Sequence, residues 1–403
     1  MHILMAHNFY KLSGGEDQCV AAETAMLRAY GHRVTQYCLF NDAIDGMGRL
    51  ELAGRTIWSR PAFLEMRRLI GEHHPQVVHF HNTLPLISPA AYYAARAEGV
   101  PVVQTLHNFR LVCLNALLFR DSKPCEDCLG KTVPWRGVAH NCYRDSRAAS
   151  AAVAAMIAAH RLLGTWRNAV DAYIALSEFS RRKFIEGGLP ADKIAVKSNF
   201  AYPEPGTGTG NGGYAVYVGR LSAEKGVETL LRAWRCLGNA VPLKIAGDGP
   251  LAPAVQEAAA HNAAIQWLQG VSHESVYDLI GAASLLVLPS QCYEGALPRV
   301  VIEAFAKGTP VVVSRLGAMA EIVDDGRNGL RFEPGNPEDL AANVRCLFSN
   351  SPTLKRMRRA ARETFDQNFS ADANHKVLMA IYARIIDGCS RHDSHEMDAV
   401  SAS

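Results

Sequence analysis

At 403 residues the chain is too long for one ordinary hydrophobic core, and its length suits two domains of about 200 residues each. Apolar residues make up 48% of the sequence and charged residues 20%, which is typical of a globular protein and excludes a disordered or fibrous one. The net charge of +3 argues against a dedicated nucleic-acid-binding protein, and no apolar run approaches the length of about 20 residues that spans a bilayer.

The first half of the chain predicts parallel strands alternating with helices, an α/β fold. Strands are expected at 1–7, 33–40, 76–82, 100–108 and 172–177, with a helix at 16–30. Such alternation is typical of βαβ units. An irregular insertion at about 110–147 interrupts the pattern. We therefore predict an N-terminal Rossmann-like domain over 1–198.

The second half repeats the pattern more regularly. Strands are expected at 214–219, 243–247, 265–269, 285–290, 311–313 and 328–334, with helices between them. A Pro/Gly-rich linker at 199–213 separates this second Rossmann-like domain, 214–388, from the first. We expect its last helix to pack back on the N-terminal domain, and the polar tail 389–403 to be disordered. Two doubly wound domains of this kind bind ligands beyond the carboxyl ends of their strands and would face an interdomain cleft.

Unusual residues follow three strands of the second half. Arg220 and Lys225 flank a turn before a helix and could bind an anion, although solvated surface charges would give the same pattern. Gly247 and Gly249 would let the backbone approach a flat ligand. The carboxylates of Glu294 and Glu303 follow on the next unit and could accept hydrogen bonds from hydroxyls. Together these groups suit a diphosphate that carries a ribose and a sugar.

Four segments, "VGRLSAEKGVETLL", "IAGDGP", "LVLPSQCYEG" and "VIEAFAKGTPVVVS", resemble the donor half of glycosyltransferase family 4, the group 1 glycosyl transferases. These are retaining enzymes of the two-Rossmann GT-B architecture that use nucleotide sugars. The likeness covers most of 170–345, and 1–30 and 76–108 more loosely. It implies that Arg220 and Lys225 hold the donor diphosphate and stabilise the leaving nucleotide, that Glu294 lies against the sugar, and that Glu303 takes the ribose hydroxyls.

The sequence departs from the family at the acidic pair. Family members usually have seven residues between the two acids, whereas eight separate Glu294 from Glu303 here. Pro298 and Glu303 keep a spacing often found in the family. We therefore place the extra residue in the loop around Ala296 and Leu297, which leaves Glu303 on its helix as expected.

The N-terminal half offers fewer candidate residues. Gly14 and Gly15, before a helix, can offer N–H groups to an anion, and they resemble the family's glycine-rich loop near the donor phosphate or acceptor. No G-x-G-x-x-G fingerprint is present. His107 follows an apolar strand, where a lone histidine is often structural, but the resemblance makes it the counterpart of a histidine that contacts the sugar. His79 and His81 share a sheet face, and the sequence assigns them no role.

Four cysteines fall in the insertion: Cys113, Cys125, Cys128 and Cys142. Their spacing is compatible with a structural zinc site, with His140 as an alternative fourth ligand. Reduced or redox-active thiols and a disulfide are the other readings. No D-x-D occurs, so no metal is expected to bridge the donor diphosphate, and catalysis should need no cofactor.

The function expected from the resemblance is transfer of a hexose-type sugar from a UDP-, GDP- or ADP-sugar to a glycan or lipid-linked acceptor, with His107, Glu294, Arg220 and Lys225 as catalytic residues. A nucleotide-sugar epimerase and a non-catalytic protein of the same fold are the alternatives. With no signal peptide, we expect a cytoplasmic protein that binds no nucleic acid. An excess of six positive charges over 101–200 allows peripheral contact with the inner face of a membrane, or is ordinary surface charge.

Overall fold

The computed structural model describes residues 1–11, 14–295 and 297–401, and their side chains except at 273, 274 and 389–401. The chain folds as two compact units. The first contains Met1–Ala116, Glu126–Ser198 and the chain from Asn374 onward, and the second contains Leu117–Cys125 and Asn199–Ala373.

The strands and helices alternate as the sequence predicts. In chain order the strands are β1 (His2–Phe9), β2 (Arg33–Phe40), β3 (Val77–Phe80), β4 (Val102–Leu106), β5 (Phe119–Arg120), β6 (Lys123–Pro124), β7 (Ala172–Ala175), β8 (Ile194–Val196), β9 (Ala215–Val218), β10 (Leu243–Ala246), β11 (Ile265–Trp267), β12 (Leu285–Leu288), β13 (Val311–Ser314) and β14 (Gly329–Phe332). The helices are α1 (Gly15–Ala29), α2 (Arg49–Ile57), α3 (Arg60–His73), α4 (Ala90–Ala97), α5 (Trp135–Ala139), α6 (Arg147–Leu162), α7 (Thr165–Asn168), α8 (Glu178–Glu186), α9 (Val227–Leu237), α10 (Ala252–His261), α11 (His273–Ala282), α12 (Arg299–Ala306), α13 (Gly317–Ile322), α14 (Pro337–Phe348), α15 (Ser351–Asn368) and α16 (Ala371–Ser401).

Each unit is built on a six-stranded parallel sheet. The order is β2-β1-β3-β4-β7-β8 in the first unit and β11-β10-β9-β12-β13-β14 in the second. The strand order reverses between β1 and β3 in one sheet and between β9 and β12 in the other. Doubly wound sheets bind their ligands in the crevice that forms at such a reversal. The predicted fold class, two Rossmann-like α/β domains, is confirmed.

Helices cover both faces of these sheets, so their central strands are buried along their whole length. The first sheet nevertheless carries polar side chains in its interior: His79 on β3, and Gln104 and Thr105 on β4. Buried polar groups need hydrogen-bond partners, and these have them. The first unit therefore has a polar network inside its core.

Three segments differ from the predicted domain plan. Residues 199–213 are part of the second unit, because the N–H groups of Gly208 and Gly210 donate to the carbonyls of Lys307 and Gly281. The β5–β6 hairpin, predicted within the N-terminal insertion, also belongs to the second unit. The tail predicted to be disordered is helical up to Ser401, since α16 continues through a segment without proline. Among the described residues no helix has the length and apolar character needed to cross a bilayer.

Candidate functional site

The carboxyl edge of the second sheet carries the four charged residues that the sequence singled out. Arg220 follows β9, and Lys225 ends a short 3-10 turn before α9. Glu294 follows β12, and Glu303 lies on α12. Because β9 and β12 are hydrogen-bonded neighbours at the reversal of strand order, all four follow the strands that border the expected ligand crevice.

Lys225 and Glu294 form an ion pair across that reversal. The Lys225 Nζ lies 2.6 and 2.8 Å from the two carboxylate oxygens, and the Ser290 hydroxyl donates to Oε1 at 2.6 Å. Burial disfavours the ammonium, but the carboxylate of Glu294 outweighs that effect and raises the pKa of Lys225. Lys225 is therefore a fixed cation at neutral pH, held at the carboxyl edge of the second sheet.

Arg220 and Glu303 have different surroundings. Arg220 is exposed, and its carbonyl accepts a hydrogen bond from the Tyr217 hydroxyl at 2.8 Å, which fixes its backbone. Glu303 is buried and lies 3.3 Å from the Arg299 guanidinium, one turn earlier on α12. A carboxylate offers about four acceptor positions, so this contact leaves others for hydroxyl groups.

Gly247 and Gly249 are explained by packing of the protein's own backbone. A Cβ on Gly247, whose φ is +143°, would lie 1.9 Å from the carbonyl oxygen of Gly219, and one on Gly249 would lie 2.6 Å from that of Leu221. The loop after β10 therefore lies directly against the loop after β9. Glycine is required at both positions with or without a ligand, and their contact with the donor stays a prediction.

The loop after β12 is held in an unusual backbone conformation. Glu294 and Leu297 have φ values of +49° and +46°, a left-handed region that non-glycine residues seldom adopt. Gly317 packs against this loop, since a Cβ there would lie 2.3 Å from the Tyr293 carbonyl oxygen. Leu297 lies where the sequence placed the extra residue, and Ala296 lies outside the described residues. Strained backbone of this kind is found most often at ligand sites.

His107, in the first unit, ends a row of buried polar groups that we call the histidine chain: Lys197, Glu23, His81 and His107. Lys197 Nζ is 2.8 Å from Glu23 Oε2, and Glu23 Oε1 is 3.3 Å from His81 Nε2. His81 Nδ1 is 2.8 Å from His107 Nε2. All four residues are 3–4% exposed. His107 is thus oriented by residues from several elements of the unit.

The charges of the histidine chain follow from its neighbours. Burial alone would raise the pKa of Glu23, but Lys197 and His79 outweigh it and hold that pKa well below the usual range. Burial lowers the pKa of His81 to about 3, and burial with the adjacent His81 lowers the pKa of His107 well below its ordinary value. Both imidazoles are therefore neutral at neutral pH.

These charges assign the tautomers. Glu23 Oε1 and His81 Nε2 face each other at 3.3 Å without hydrogen-bond geometry. The nearby carboxylate favours the proton of His81 on Nε2, so we infer that His81 Nδ1 accepts from His107 Nε2. His107 Nδ1 is then an acceptor, and it has no hydrogen-bond partner in the described part of the chain. A hydroxyl group of a ligand is the kind of donor that this nitrogen could accept from.

The start of α1 carries the predicted glycine pair. The Gly14 N–H donates to the Asp17 carboxylate at 3.1 Å, and the same carboxylate lies 2.8 Å from His7 Nε2. A Cβ on Gly14 would meet no atom of the described residues within 4 Å, so their packing does not require glycine there. Gly15 begins α1. Their contact with a donor phosphate or acceptor stays a prediction.

The four cysteines of the insertion are divided between the two units. Cys125 belongs to the second unit and the other three to the first. Cys113 and Cys128 are buried, and Cys125 and Cys142 are partly buried. The structural zinc site stays a prediction.

Another group of possible metal ligands converges in the first unit. Ligand atoms of Glu23, His79 and His81 lie within 4.8 Å of one another, and all three residues are buried. The Lys197 ammonium contacts the same carboxylate at 2.8 Å and supplies the positive charge that a metal ion would bring. We therefore assign no metal to this group.

Sequence analysis missed several partners of the candidate residues. Arg299 could have been found, because it lies four residues before Glu303 on a predicted helix. Glu23 carried a weaker signal, a charged residue among apolar neighbours on the buried side of α1. Lys197 and Ser290 gave none, since their contacts depend on how distant strands pair.

Two family models match consecutive parts of the chain. Residues 13–204 match the model described as Glycosyltransferase Family 4, and residues 206–364 match that of the Glycosyl transferases group 1. A glycogen synthase from Mycobacterium tuberculosis is 33% identical over 181 residues, which is 43% of this chain and 42% of that protein. The putative teichuronic acid biosynthesis glycosyltransferase TuaC from Bacillus subtilis is 25% identical over 77% of this chain and 71% of that protein. The chain thus spans about two-fifths of the first of these relatives.

Solved structures share the fold over nearly the whole chain. HepE of Anabaena, solved in complex with UDP-glucose, superposes with a TM-score of 0.67 at 16% identity, over 95% of this chain and all of that chain. Sucrose-phosphate synthase from Thermosynechococcus elongatus gives a TM-score of 0.70 at 16% identity, over 96% and 99% of the two chains. At these identities the likeness establishes a common fold.

Proposed function

We propose that this chain, as a member of the family 4 glycosyltransferases of the GT-B fold, transfers a hexose-type sugar from a nucleotide-sugar donor. The acceptor is a glycan or a lipid-linked molecule, and the sugar retains its anomeric configuration. The observation that carries the proposal is the Lys225–Glu294 pair beside the β9–β12 reversal. A fixed cation and carboxylates at that edge suit a diphosphate that carries a sugar. The UDP-glucose complex of HepE supports a nucleotide sugar as the donor class.

Each residue has a role in this proposal. Arg220 and Lys225 bind the diphosphate and stabilise the charge that develops on the leaving nucleotide, with no metal needed for that purpose. Glu303 accepts hydrogen bonds from the ribose hydroxyls and Glu294 from the sugar. His107, neutral and with Nδ1 as an acceptor, receives a hydrogen bond from a sugar hydroxyl.

The bond changes follow from retention without an evident nucleophile. The bond from the anomeric carbon to the phosphate oxygen breaks, and the acceptor oxygen bonds to the same face of that carbon. The acceptor's proton passes to the departing phosphate oxygen. The products are a nucleoside diphosphate and the glycosylated acceptor, so atoms and charge balance.

Nucleotide binding is the first test. We expect UDP, GDP or ADP to raise the melting temperature of the purified chain, because a ligand that binds only the folded state stabilises it by mass action. Arg220→Ala and Glu303→Ala should abolish that shift. Arg232→Ala, an exposed arginine on α9, is the matched control and should keep it. No shift with any nucleotide, in protein that melts cooperatively, would favour the non-catalytic alternative.

Incubation with the matching nucleotide sugar then separates the enzyme classes. A transferase releases nucleoside diphosphate and gives a product whose anomeric proton shows the configuration of the donor. An epimerase converts one nucleotide sugar into another and releases no nucleotide. Product of inverted configuration would contradict the retaining mechanism while leaving the transferase assignment in place.

A further inference from the structure

A cavity of about 660 Å³ lies at the carboxyl edge of the first sheet. Residues that follow four successive strands of that sheet line it: Tyr10 after β1, Asn41 after β2, Asn82 after β3 and Arg110 after β4. It therefore lies beside the β1–β3 reversal of strand order, where a doubly wound sheet takes its ligand. None of the residues proposed to bind the donor lines it.

One end of the cavity is cationic. Arg49, Arg110 and Arg144 all line it, and within the described residues none of the three forms an ion pair. The guanidinium groups of Arg110 and Arg144 lie 4.7 and 5.5 Å from the ring centroid of Tyr143, so both are positioned by one aromatic ring. Three arginines that form no ion pair within the described residues surround one cavity, which indicates an anionic ligand. The planar guanidinium group matches the geometry of a phosphate well.

One acid, Glu16, interacts electrostatically with Arg110, but the two form no ion pair within the described residues. The Glu16 carboxylate is held by the Tyr10 hydroxyl at 2.8 Å and by the Asn108 amide at 2.5 Å. It does not line the cavity. The charge of the cavity lining is therefore positive.

Much of the remaining lining is apolar, and Asn41, Thr56, Asn82 and Ser146 add polar side chains to it. Helices α2 and α6 pack against each other and form its walls with the following side chains: Leu50, Leu52, Ala53, Ala149, Ala152 and Val153. A free sugar phosphate would leave these walls unused, and a neutral glycan would leave the arginines unused. A phosphate joined to an apolar chain uses both.

The helices around the cavity also expose large apolar side chains. Leu50 on α2 is 91% exposed, Trp135 on α5 is 61% exposed, and Leu162 at the end of α6 is 77% exposed. Both α2 and α5 pack against α6, so these side chains belong to neighbouring elements. Lys131 lies close to Trp135 in sequence and adds positive charge, whereas the neighbouring Arg136 is paired with Asp127 at 3.5 Å. Exposed apolar and basic side chains on adjacent helices are what a peripheral protein presents to an anionic bilayer.

We propose that this cavity is the acceptor site and that the acceptor is a lipid phosphate: the three arginines bind the phosphate, and the α2–α6 groove takes the first part of the apolar chain. This inference rests on the transferase function proposed above and names the acceptor class for it. The remainder of the lipid chain would stay in the bilayer, against which the exposed apolar side chains lie.

The test uses farnesyl phosphate, below its critical micelle concentration, as the probe in calorimetric titration of the full chain. Farnesol, which lacks the charge, and inorganic pyrophosphate, which lacks the chain, are the two comparison ligands. We expect each to bind at least about ten-fold more weakly than farnesyl phosphate, since each loses one half of the contacts. Equal binding of pyrophosphate that is lost in the Arg49→Gln/Arg144→Gln variant would overturn the lipid chain as part of the ligand. Equal binding of farnesol would overturn the phosphate as part of the ligand.

Two kinds of variant locate the binding. Arg49→Gln with Arg144→Gln should weaken farnesyl phosphate by about ten-fold or more, whereas Arg182→Gln, an exposed arginine on α8, should not. Ala152→Leu narrows the groove and should weaken farnesyl phosphate but not pyrophosphate. Its neighbour Ala151 is exposed and does not line the cavity, so Ala151→Leu is the matched control. Unchanged binding in the arginine double variant would overturn the site.

The melting shift that a nucleotide causes separates a failure of the acceptor proposal from a failure of the proposed transferase function. Variants of the cavity should keep that shift, because none of the residues proposed to bind the donor lines the cavity. A nucleotide shift without lipid phosphate binding overturns the acceptor assignment alone. Lipid phosphate binding without any nucleotide shift contradicts the transferase proposal and leaves a lipid-binding site.

Discussion

At the scale of single residues, the histidine chain shows how a protein fixes the proton on one imidazole. Lys197 keeps Glu23 ionised, Glu23 fixes the proton of His81 on Nε2, and His81 fixes that of His107. The result is an acceptor nitrogen at His107 Nδ1, presented by a residue whose charge does not change near neutral pH. Lys197 forms an ion pair with Glu23, and His107 forms a hydrogen bond with His81. Between them, Glu23 acts on His81 Nε2 through its negative charge at 3.3 Å.

We predict that His107 does not titrate between pH 7.5 and 5.5. Its native pKa lies well below the unfolded value of about 6.5, so the unfolded chain takes up a proton over this range and the native chain does not. Stability should therefore fall as pH falls below about 6.5, by about 1.4 kcal/mol per pH unit for this group. Nitrogen-15 NMR of labelled histidine should show a neutral ring with the proton on Nε2.

The His107→Asn variant assigns that NMR signal by its disappearance. The same variant should lose less stability between pH 7 and pH 5 than the parent chain. The difference should be about 2 kcal/mol. A His107 signal that moves with a midpoint near pH 6.5 would show that the ring is not buried in the way this network requires.

At the scale of elements, Gly247 and Gly14 show two different reasons for a glycine in a loop. At Gly247 the Cβ position is taken by the Gly219 carbonyl, 1.9 Å away. At Gly14 the corresponding space is open to 4 Å. The fold requires glycine at Gly247, because a side chain has no space there. At Gly14 the described residues leave space for a side chain.

We predict that alanine destabilises the chain much more at Gly247 than at Gly14. Gly247→Ala should destabilise the chain by about 2–4 kcal/mol, since both the backbone angle and the space forbid a side chain. Gly14→Ala should cost no more than about 1 kcal/mol, the ordinary effect of replacing a glycine before a helix. Urea or thermal unfolding measures both. If Gly14 approaches a ligand, Gly14→Ala should weaken binding in a chain of nearly full stability. Equal stabilities of the two variants would contradict the packing of the loops after β9 and β10.

Much of the element pattern could be predicted from the sequence, and the reasons are physical. Strands such as β12 and β13 read as unbroken apolar runs because helices cover both faces of a parallel sheet. Arg220, Lys225 and Glu294 could be placed because the carboxyl ends of parallel strands share one edge. The pairing of Lys225 with Glu294 could not, since it depends on the conformation of the loop after β12. The same holds for Lys197, whose partner Glu23 is 174 residues away in the chain.

At the scale of the whole molecule, the chain consists of two units, each with its own parallel sheet and its own reversal of strand order. The charged residues proposed to bind the donor, Arg220, Lys225, Glu294 and Glu303, lie in the second unit, and the arginine-lined cavity lies in the first. The carboxyl edges of the two sheets differ in charge and polarity, and each edge matches the ligand proposed for it. A diphosphate with hydroxyls meets a lysine and carboxylates, whereas a lipid phosphate meets three arginines and an apolar groove.

This division predicts separate patterns of hydrogen-exchange protection. The nucleotide that raises the melting temperature should slow exchange at 219–226 and 289–303, and farnesyl phosphate should slow it at 49–57 and 143–153. At a ligand concentration of about 100 times Kd, the opening that exposes a bound segment costs about 2.7 kcal/mol more, which slows exchange by about a hundred-fold. Arg220→Ala with the same nucleotide, and Arg49→Gln/Arg144→Gln with the same lipid phosphate, are the matched controls and should show no protection. Nucleotide protection confined to the first unit would place the donor on the other sheet, because residues that hold a bound ligand cannot exchange faster than the complex opens.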